Sequence, residues 1–255
     1  MKRQQIALAV VVVAALMTGA CQRAAPQELS APTGADDLVL QLTDLTGVLP
    51  PGGVAATPPA YSLYGDGRLI SAPQVQAQTA WPTLVEHRIT PAQVHRLLRT
   101  AADAGLLDSD RPTPSPGVGP DAPTVTVTVA STTQRRTATV PKSDTSIARL
   151  RDELSGYADE PGNPYQPTRV AVIAFPSGPS ADTRPWTLTS LDGQPLSGIN
   201  TGAQCTVLSG TAVAAARQAA ADATPGTAWE NNSRPWSLSF RPLLPDEKDC
   251  SAFQA

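Results

Sequence analysis

Imidazole and aromatic groups are scarce in this chain of 255 residues, which has two histidines and 4% aromatic residues. A structural zinc site takes four nitrogen or sulfur ligands. His87 and His95 could therefore share a metal only with ligands from elsewhere, and no metal or cofactor is expected. So few rings argue against broad stacking platforms for sugars or bases. Lysine is almost missing as well, with only Lys142 and Lys248 beyond residue 20. Setting Lys2 and Arg3 aside from 19 basic residues, against 22 acidic ones, leaves a balance of −5. That balance opposes nucleic-acid binding and electrostatic recruitment to anionic lipid, both of which need basic patches. No Gly-x-Ser-x-Gly elbow, Ser-x-x-Lys, His-Glu-x-x-His, Walker loop or Gly-x-Gly-x-x-Gly occurs, so no motif announces catalysis.

What the chain does have begins at its first residues. Lys2 and Arg3 precede an unbroken apolar run from Ile6 to Met17, followed by Thr18-Gly19-Ala20 and then Cys21. A basic head, an apolar run of about 7–15 residues and a small-residue cleavage site make a secretory signal peptide. The run is too short to span a bilayer, which needs roughly 20 apolar residues. With Cys21 directly after the small residues, the segment resembles the lipobox of bacterial lipoproteins. That resemblance implies a diacylglyceryl group on Cys21, an acylated (palmitate-type) amino terminus and a position on the extracytoplasmic face of the cell membrane. The lipobox usually has Leu three residues before the cysteine, where this chain has Thr18. Ordinary cleavage after Ala20, leaving a free thiol, is the alternative.

The chain has three cysteines. Lipidation of Cys21 leaves Cys205 and Cys250 as a pair, which an oxidising compartment should bridge. Such a loop closure contributes about 4 kcal/mol in the chain-entropy model.

Removing 20 of the 255 residues leaves 235, enough for one large domain or two small ones. Pro 26 and Gly 18 predict many turns. Residues 21–35 read as the lipidated cysteine and a flexible tether, 36–157 as an N-terminal α+β region, 158–168 as a linker and 169–255 as a C-terminal α+β region. The expected fold class is α+β, with antiparallel sheets and a few packed helices, as two subdomains or one two-part domain.

Within the first region, Leu38, Leu40 and Leu42 alternate as a strand, and residues 46–59 read as a long loop. Tyr61 to Ile70 forms a hairpin around Gly65-Asp66-Gly67, and Leu84 to Ile89 another strand. Thr90-Pro91 starts a helix with the stripe Val94, Leu97, Leu98 and Ala101, ended by Gly105. Strands follow through Val125–Val129, with a threonine face open to water, and up to Val140. Ser143-Asp144 then caps a helix bearing Ile147, Leu150, Leu154 and Tyr157.

In the second region, strands are expected at Val170–Phe175, Arg184–Ser190, Cys205–Leu208 and Trp236–Phe240, with an alanine-rich helix over Thr211–Ala223. Both regions run strands, helix, strand, which would suit a weak duplication.

Tyr64-Gly65-Asp66-Gly67-Arg68, the helix end Ala104 to Asp108 and the tail Arg241-Pro242-Leu243-Leu244-Pro245-Asp246-Glu247 with Cys250 resemble a family of uncharacterised actinobacterial secreted lipoproteins. The resemblance implies fold and address, and no activity.

Candidate site chemistry is thin. Asp66 reads as turn chemistry, since no further oxygen ligands follow at calcium-loop spacing. Asp36-Asp37, Asp159-Glu160 and Asp246-Glu247-Asp249 read as solvated surface charge rather than a glycosidase-type pair. Trp229, Trp236 and Phe240 read as core, filling space beside a helix of small residues. The expectation is a membrane-anchored envelope lipoprotein, a binding or accessory module with an envelope protein or lipid partner and no nucleic acid. A lipid or glycolipid carrier and a secreted hydrolase are the alternatives, and a transporter's solute-binding subunit suits the length less well.

Overall fold

The structure, a computed structural model, describes residues 29–45, 53–73, 80–108, 122–178, 180–196, 202–224 and 226–253. Cys21 and the leader lie outside the described residues. The fold is α+β in two parts, with four helices and thirteen strands among the described residues. The first part is built from β1 (Leu38–Leu45), α1 (Gly53–Ala56), β2 (Tyr61–Tyr64), β3 (Arg68–Ser71), β4 (Val85–Arg88), α2 (Pro91–Asp103), β5 (Thr124–Ala130), β6 (Arg135–Pro141), α3 (Ala148–Ala158) and β7 (Asn163–Pro164). Its strands make an antiparallel sheet in the order β6-β5-β1-β2-β3-β4-β7.

Alternation decides the faces of this sheet. A register shift between Leu38 and Leu40 leaves Leu38 with Tyr64 and Ile70 on one face. Val39, Leu40 and Leu42 join Leu63, Leu69 and the valines of β5 under the helices. The hairpin turn closes with Gly67 at φ 83, while the Asp66 carboxylate accepts from the Arg68 N–H at 3.1 Å. Helix α2 starts on a capping box: Gln93 N–H donates to Thr90 Oγ1 and Thr90 N–H to Gln93 Oε1. Val94, Leu97, Leu98 and Ala101 are fully packed, and Gly105 at φ 71 follows the last turn. Asp144 caps a 3₁₀ turn, Thr145–Ile147, that runs straight into α3.

Besides the face taken by Leu38, which the register shift separates from Leu40 and Leu42, four expectations change in this part. The 46–59 loop contains α1, whose Ala55 is buried against the second part. The threonine face of β5 is drier than expected, with Thr124 and Thr128 buried and Thr128 Oγ1 2.8 Å from Thr137 Oγ1. The presumed linker contributes β7, which pairs with β4 at Val85 and Glu86. The presumed tether is structured from Leu29, because Leu29 and Ala31 pack on the first core. The Ser30 carbonyl also accepts from Thr132 N–H at 2.9 Å.

The second part comprises β8 (Arg169–Pro176), β9 (Thr183–Pro185), β10 (Gln194–Pro195), β11 (Gln204–Ser209), α4 (Thr211–Ala221), β12 (Ala228–Asn231) and β13 (Arg234–Pro242). The sheet order is β10-β11-β8-β13-β12-β9, antiparallel except for the β9–β12 pair. The strand expected over Arg184–Ser190 shrinks to β9. Beyond Pro185, which has no N–H for the ladder, the chain turns inward, with Trp186 N–H donating to the Glu230 carbonyl and its ring buried. The two parts differ in strand order after their helices: the first strand of the β5–β6 hairpin joins β1, whereas the second strand of β12–β13 joins β8. This order departs from a simple duplication.

β8 is buried on both faces. Val170, Val172 and Ala174 meet α4, whose contact residues are Val213, Ala216 and Ala220. Small side chains there leave room for rings. Trp186 and Trp229 pack edge to face at 5.6 Å, and each also contacts Phe240. Trp81, from the β3–β4 connection of the first part, packs on Phe240 at 6.0 Å beneath Arg217. On the opposite face, Ala171 and Ile173 meet Leu243 and the Cys205–Cys250 disulfide, which closes a separation of 45 residues.

Candidate functional site

The two parts meet along the face of the first sheet that carries Tyr64, Ile70 and Leu84. The tail after β13 runs along this seam. Leu243 enters the second core and Leu244 the cluster on the first sheet, so successive side chains pin both parts. Glu247 is buried between them. Its carboxylate accepts from Leu244 N–H at 2.9 Å and pairs with buried Arg241, whose Nη1 donates to the Ala55 carbonyl at 2.8 Å.

This corrects the reading of Asp246-Glu247-Asp249 as solvated charge. Only Asp249 is fully exposed, because the tail folds back and Arg241 compensates the buried carboxylate. Burial pushes the Glu247 carboxyl upward against the opposing pull of Arg241, and pushes the Arg241 guanidinium downward. Tyr64 Oη donates to Asp246 Oδ1 at 2.7 Å, and Tyr165 Oη to the Leu243 carbonyl at 2.9 Å. Desolvation drives both phenols up, Tyr165 to about 12.

Beside this strap lies an open cleft of about 400 Å³, lined by Asp36, Arg68, Glu86, Tyr165, Arg169 and Leu244 among others. Register explains its polar wall: Glu86 stands opposite Ile70 on the seam face, and Arg68 lies two residues before Ile70 on the same side. The two guanidiniums hold the walls. Arg68 donates to Asp66 at 2.9 Å and to the Ala35 carbonyl at 2.6 Å. Arg169 donates to the carbonyls of Lys248 and Glu247. Both charge signs and several amide and hydroxyl groups face the opening, so the cleft can hydrogen-bond a small polar group.

The remaining sequence candidates fall elsewhere. His95 is exposed on α2, whereas His87 is buried on the opposite face of the sheet from the cleft. Its Nε2 lies 3.1 Å from Ser71 Oγ, a pair that sequence reading missed. Its Nδ1 has no hydrogen-bond partner and faces Gly162, where a Cβ would come within 2.7 Å of the ring. A relay needs an acid on that nitrogen and access for substrate, and this pair has neither. Its only sequence signal is that Ser71 and His87 sit on neighbouring β-prone runs, and the register between the runs is invisible locally.

Asp66 closes the hairpin and pairs with Arg68 and Arg88. Asp36-Asp37 and Asp159-Glu160 are exposed. Trp229, Trp236 and Phe240 are buried in the second core. Cys205 and Cys250 are joined. Among the described residues, no three acidic, histidine or cysteine side chains gather as a metal site, and no helix is long and apolar enough to cross a membrane. Compared with known protein families, curated proteins and solved structures, the chain finds no match.

Proposed function

We propose that this chain is a lipoprotein held on the extracytoplasmic face of the cell membrane through Cys21, acting as a non-catalytic binding or accessory module of the envelope. The observation that carries the reading is the cysteine arithmetic. Cys205 and Cys250 satisfy each other, and the one remaining thiol directly follows a leader and three small residues. A bridged pair also suits an oxidising compartment. The resemblance to secreted lipoproteins rests on the hairpin tip and the tail, and both have structural work: Arg68 braces the cleft, and Leu243 to Glu247 strap the two parts together.

The binding reading draws on the polar seam cleft. A lipid carrier would instead need a large apolar cavity, which charged Asp36, Arg68, Glu86 and Arg169 do not provide. A hydrolase working through the Ser71–His87 pair is not favoured by its buried, acid-free geometry.

The test is phase partitioning. The wild-type protein enters the detergent phase and Cys21→Ala moves to the aqueous phase. Unchanged partitioning of the variant removes the anchor from the proposal.

A further inference from the structure

We propose that the end of the first sheet where the tether is rooted is the face the domain turns toward the bilayer, with the 131–134 turn nearest the headgroup layer. This rests on attachment through Cys21 and adds the orientation of the folded body.

The chain is pinned close to its anchor. Leu29 packs on the first core, Ser30 is hydrogen-bonded to Thr132, and Pro32 lies so near Gly65 that a Cβ there would meet its carbonyl oxygen at 2.4 Å. Arg68 then holds the Ala35 carbonyl at 2.6 Å. Only residues 22–28 separate Cys21 from Leu29. Eight residue steps of about 3.5 Å reach at most about 28 Å. A compact body of the size of residues 29–253 has a radius of gyration of about 17 Å and a diameter of about 45 Å. The leash is shorter than the body it holds. The root therefore cannot face away from the membrane.

Topology gathers the membrane-facing set. Leu38, the hairpin tip between β2 and β3, Arg88 at the end of β4 and the turn between β5 and β6 all lie at this one end of the antiparallel sheet. Its side chains are polar. Thr132, Thr133 and Gln134 are exposed, and the Arg88 and Arg135 side chains are 63% and 59% exposed. The one exposed large hydrophobic among the described residues, Val54, lies on α1 beyond the opposite end of β1. Such a surface rests on headgroups and does not insert.

Guanidinium suits phosphate geometry, but Asp66 lies 3.3 Å from Arg88 and Asp246 lies 4.0 Å from Arg135. With Asp36 and Asp37 also exposed at this end and Glu86 3.5 Å from Arg88, the arginines add no net attraction to phosphate, so the short leash sets the orientation and the acyl chains supply the affinity. The Asp36–Arg68 rim of the cleft belongs to this end, so in this orientation the cleft lies beside the membrane surface.

The test uses the full lipidated chain in vesicles of phosphatidylglycerol and phosphatidylcholine bearing a headgroup quencher. A thiol-reactive fluorophore is placed at Gln134→Cys, or at Ser143→Cys beyond the other end of β6. Seven strand residues put those ends about 20 Å apart. The expected result is loss of most emission at position 134, with emission at 143 retained. Equal quenching, or stronger quenching at 143, overturns the orientation. The mass of the amino-terminal peptide from the same sample separates the two ideas. Absent acyl chains sink the attachment and the orientation together. Acyl chains present with equal quenching sink the orientation alone.

Discussion

The two parts solve the same packing problem with different materials. The first covers its sheet with two helices whose stripes carry Val94, Leu97, Leu98, Leu150 and Leu154, and aliphatic chains fill the layer. The second has one helix, α4, which offers Val213 and alanines, and it fills the space with Trp186, Trp229, Trp236 and Phe240. It also takes Trp81 from the first part and is closed on its other face by a disulfide. A helix of small residues approaches its sheet closely but buries little area, so bulk must arrive from strands, loops and a neighbour. The lesson is that the core of the second part depends on a covalent cross-link and on a ring borrowed from its neighbour, which the core of the first does without.

The disulfide gives the sharpest way to break this contrast. Cys205→Ser with Cys250→Ser is expected to destabilise the second part by about 4 kcal/mol through loop closure, leaving the first largely intact. All four tryptophans sit in or against the second core, so their fluorescence should unfold at lower denaturant than far-ultraviolet dichroism. Coincident transitions with an unchanged midpoint would refute the contrast.

Next comes the strap. Leu244→Ala removes a buried side chain from the seam and should cost about 3 kcal/mol, weakening the coupling between the parts. A double-probe denaturation curve that stays as stable and as cooperative as wild type would show that the strap carries none of it.

The smallest effect concerns Tyr64 and Tyr165. Their folded phenols titrate above the usual value, so the stability they contribute is fully present below the unfolded value near pH 10. It is lost as pH rises through the folded values. The urea midpoint should therefore hold from pH 7 to about 10 and fall beyond. Tyr64→Phe should flatten that fall, at the cost of about 2 kcal/mol for a hydrogen bond to a carboxylate. A midpoint that stays level past pH 11 would remove the seam phenols from the account.

Much of the local structure was legible. Gly65-Asp66-Gly67 between two β-prone runs, Thr90-Pro91, and the apolar spacing of α2 each carry their own physical instruction, and the hairpin and capped helix follow. The candidate site was not legible. Glu86, Arg68 and Arg169 share a cleft only because β3 and β4 pair in one register and the tail crosses them. Glu247 looked like surface charge because nothing near it in sequence announces that Arg241 and the Leu244 N–H would meet it in the interior. Trp81 gave no sign that it belongs to the other part's core.

By itself, the sequence determined what depends on neighbours a few residues apart: the apolar run from Ile6 to Met17 ahead of Cys21, the turn and cap chemistry, the alternation of strands and the presence of two pairable thiols. The tertiary structure alone decided that β5 lies beside β1 and β13 beside β8, that one tail pins both parts, and that a buried carboxylate and a polar cleft occur where they meet. Strand neighbours and buried ion pairs arise from contacts between distant segments, whose energies appear only after the chain has closed long loops, and no short stretch of residues encodes them.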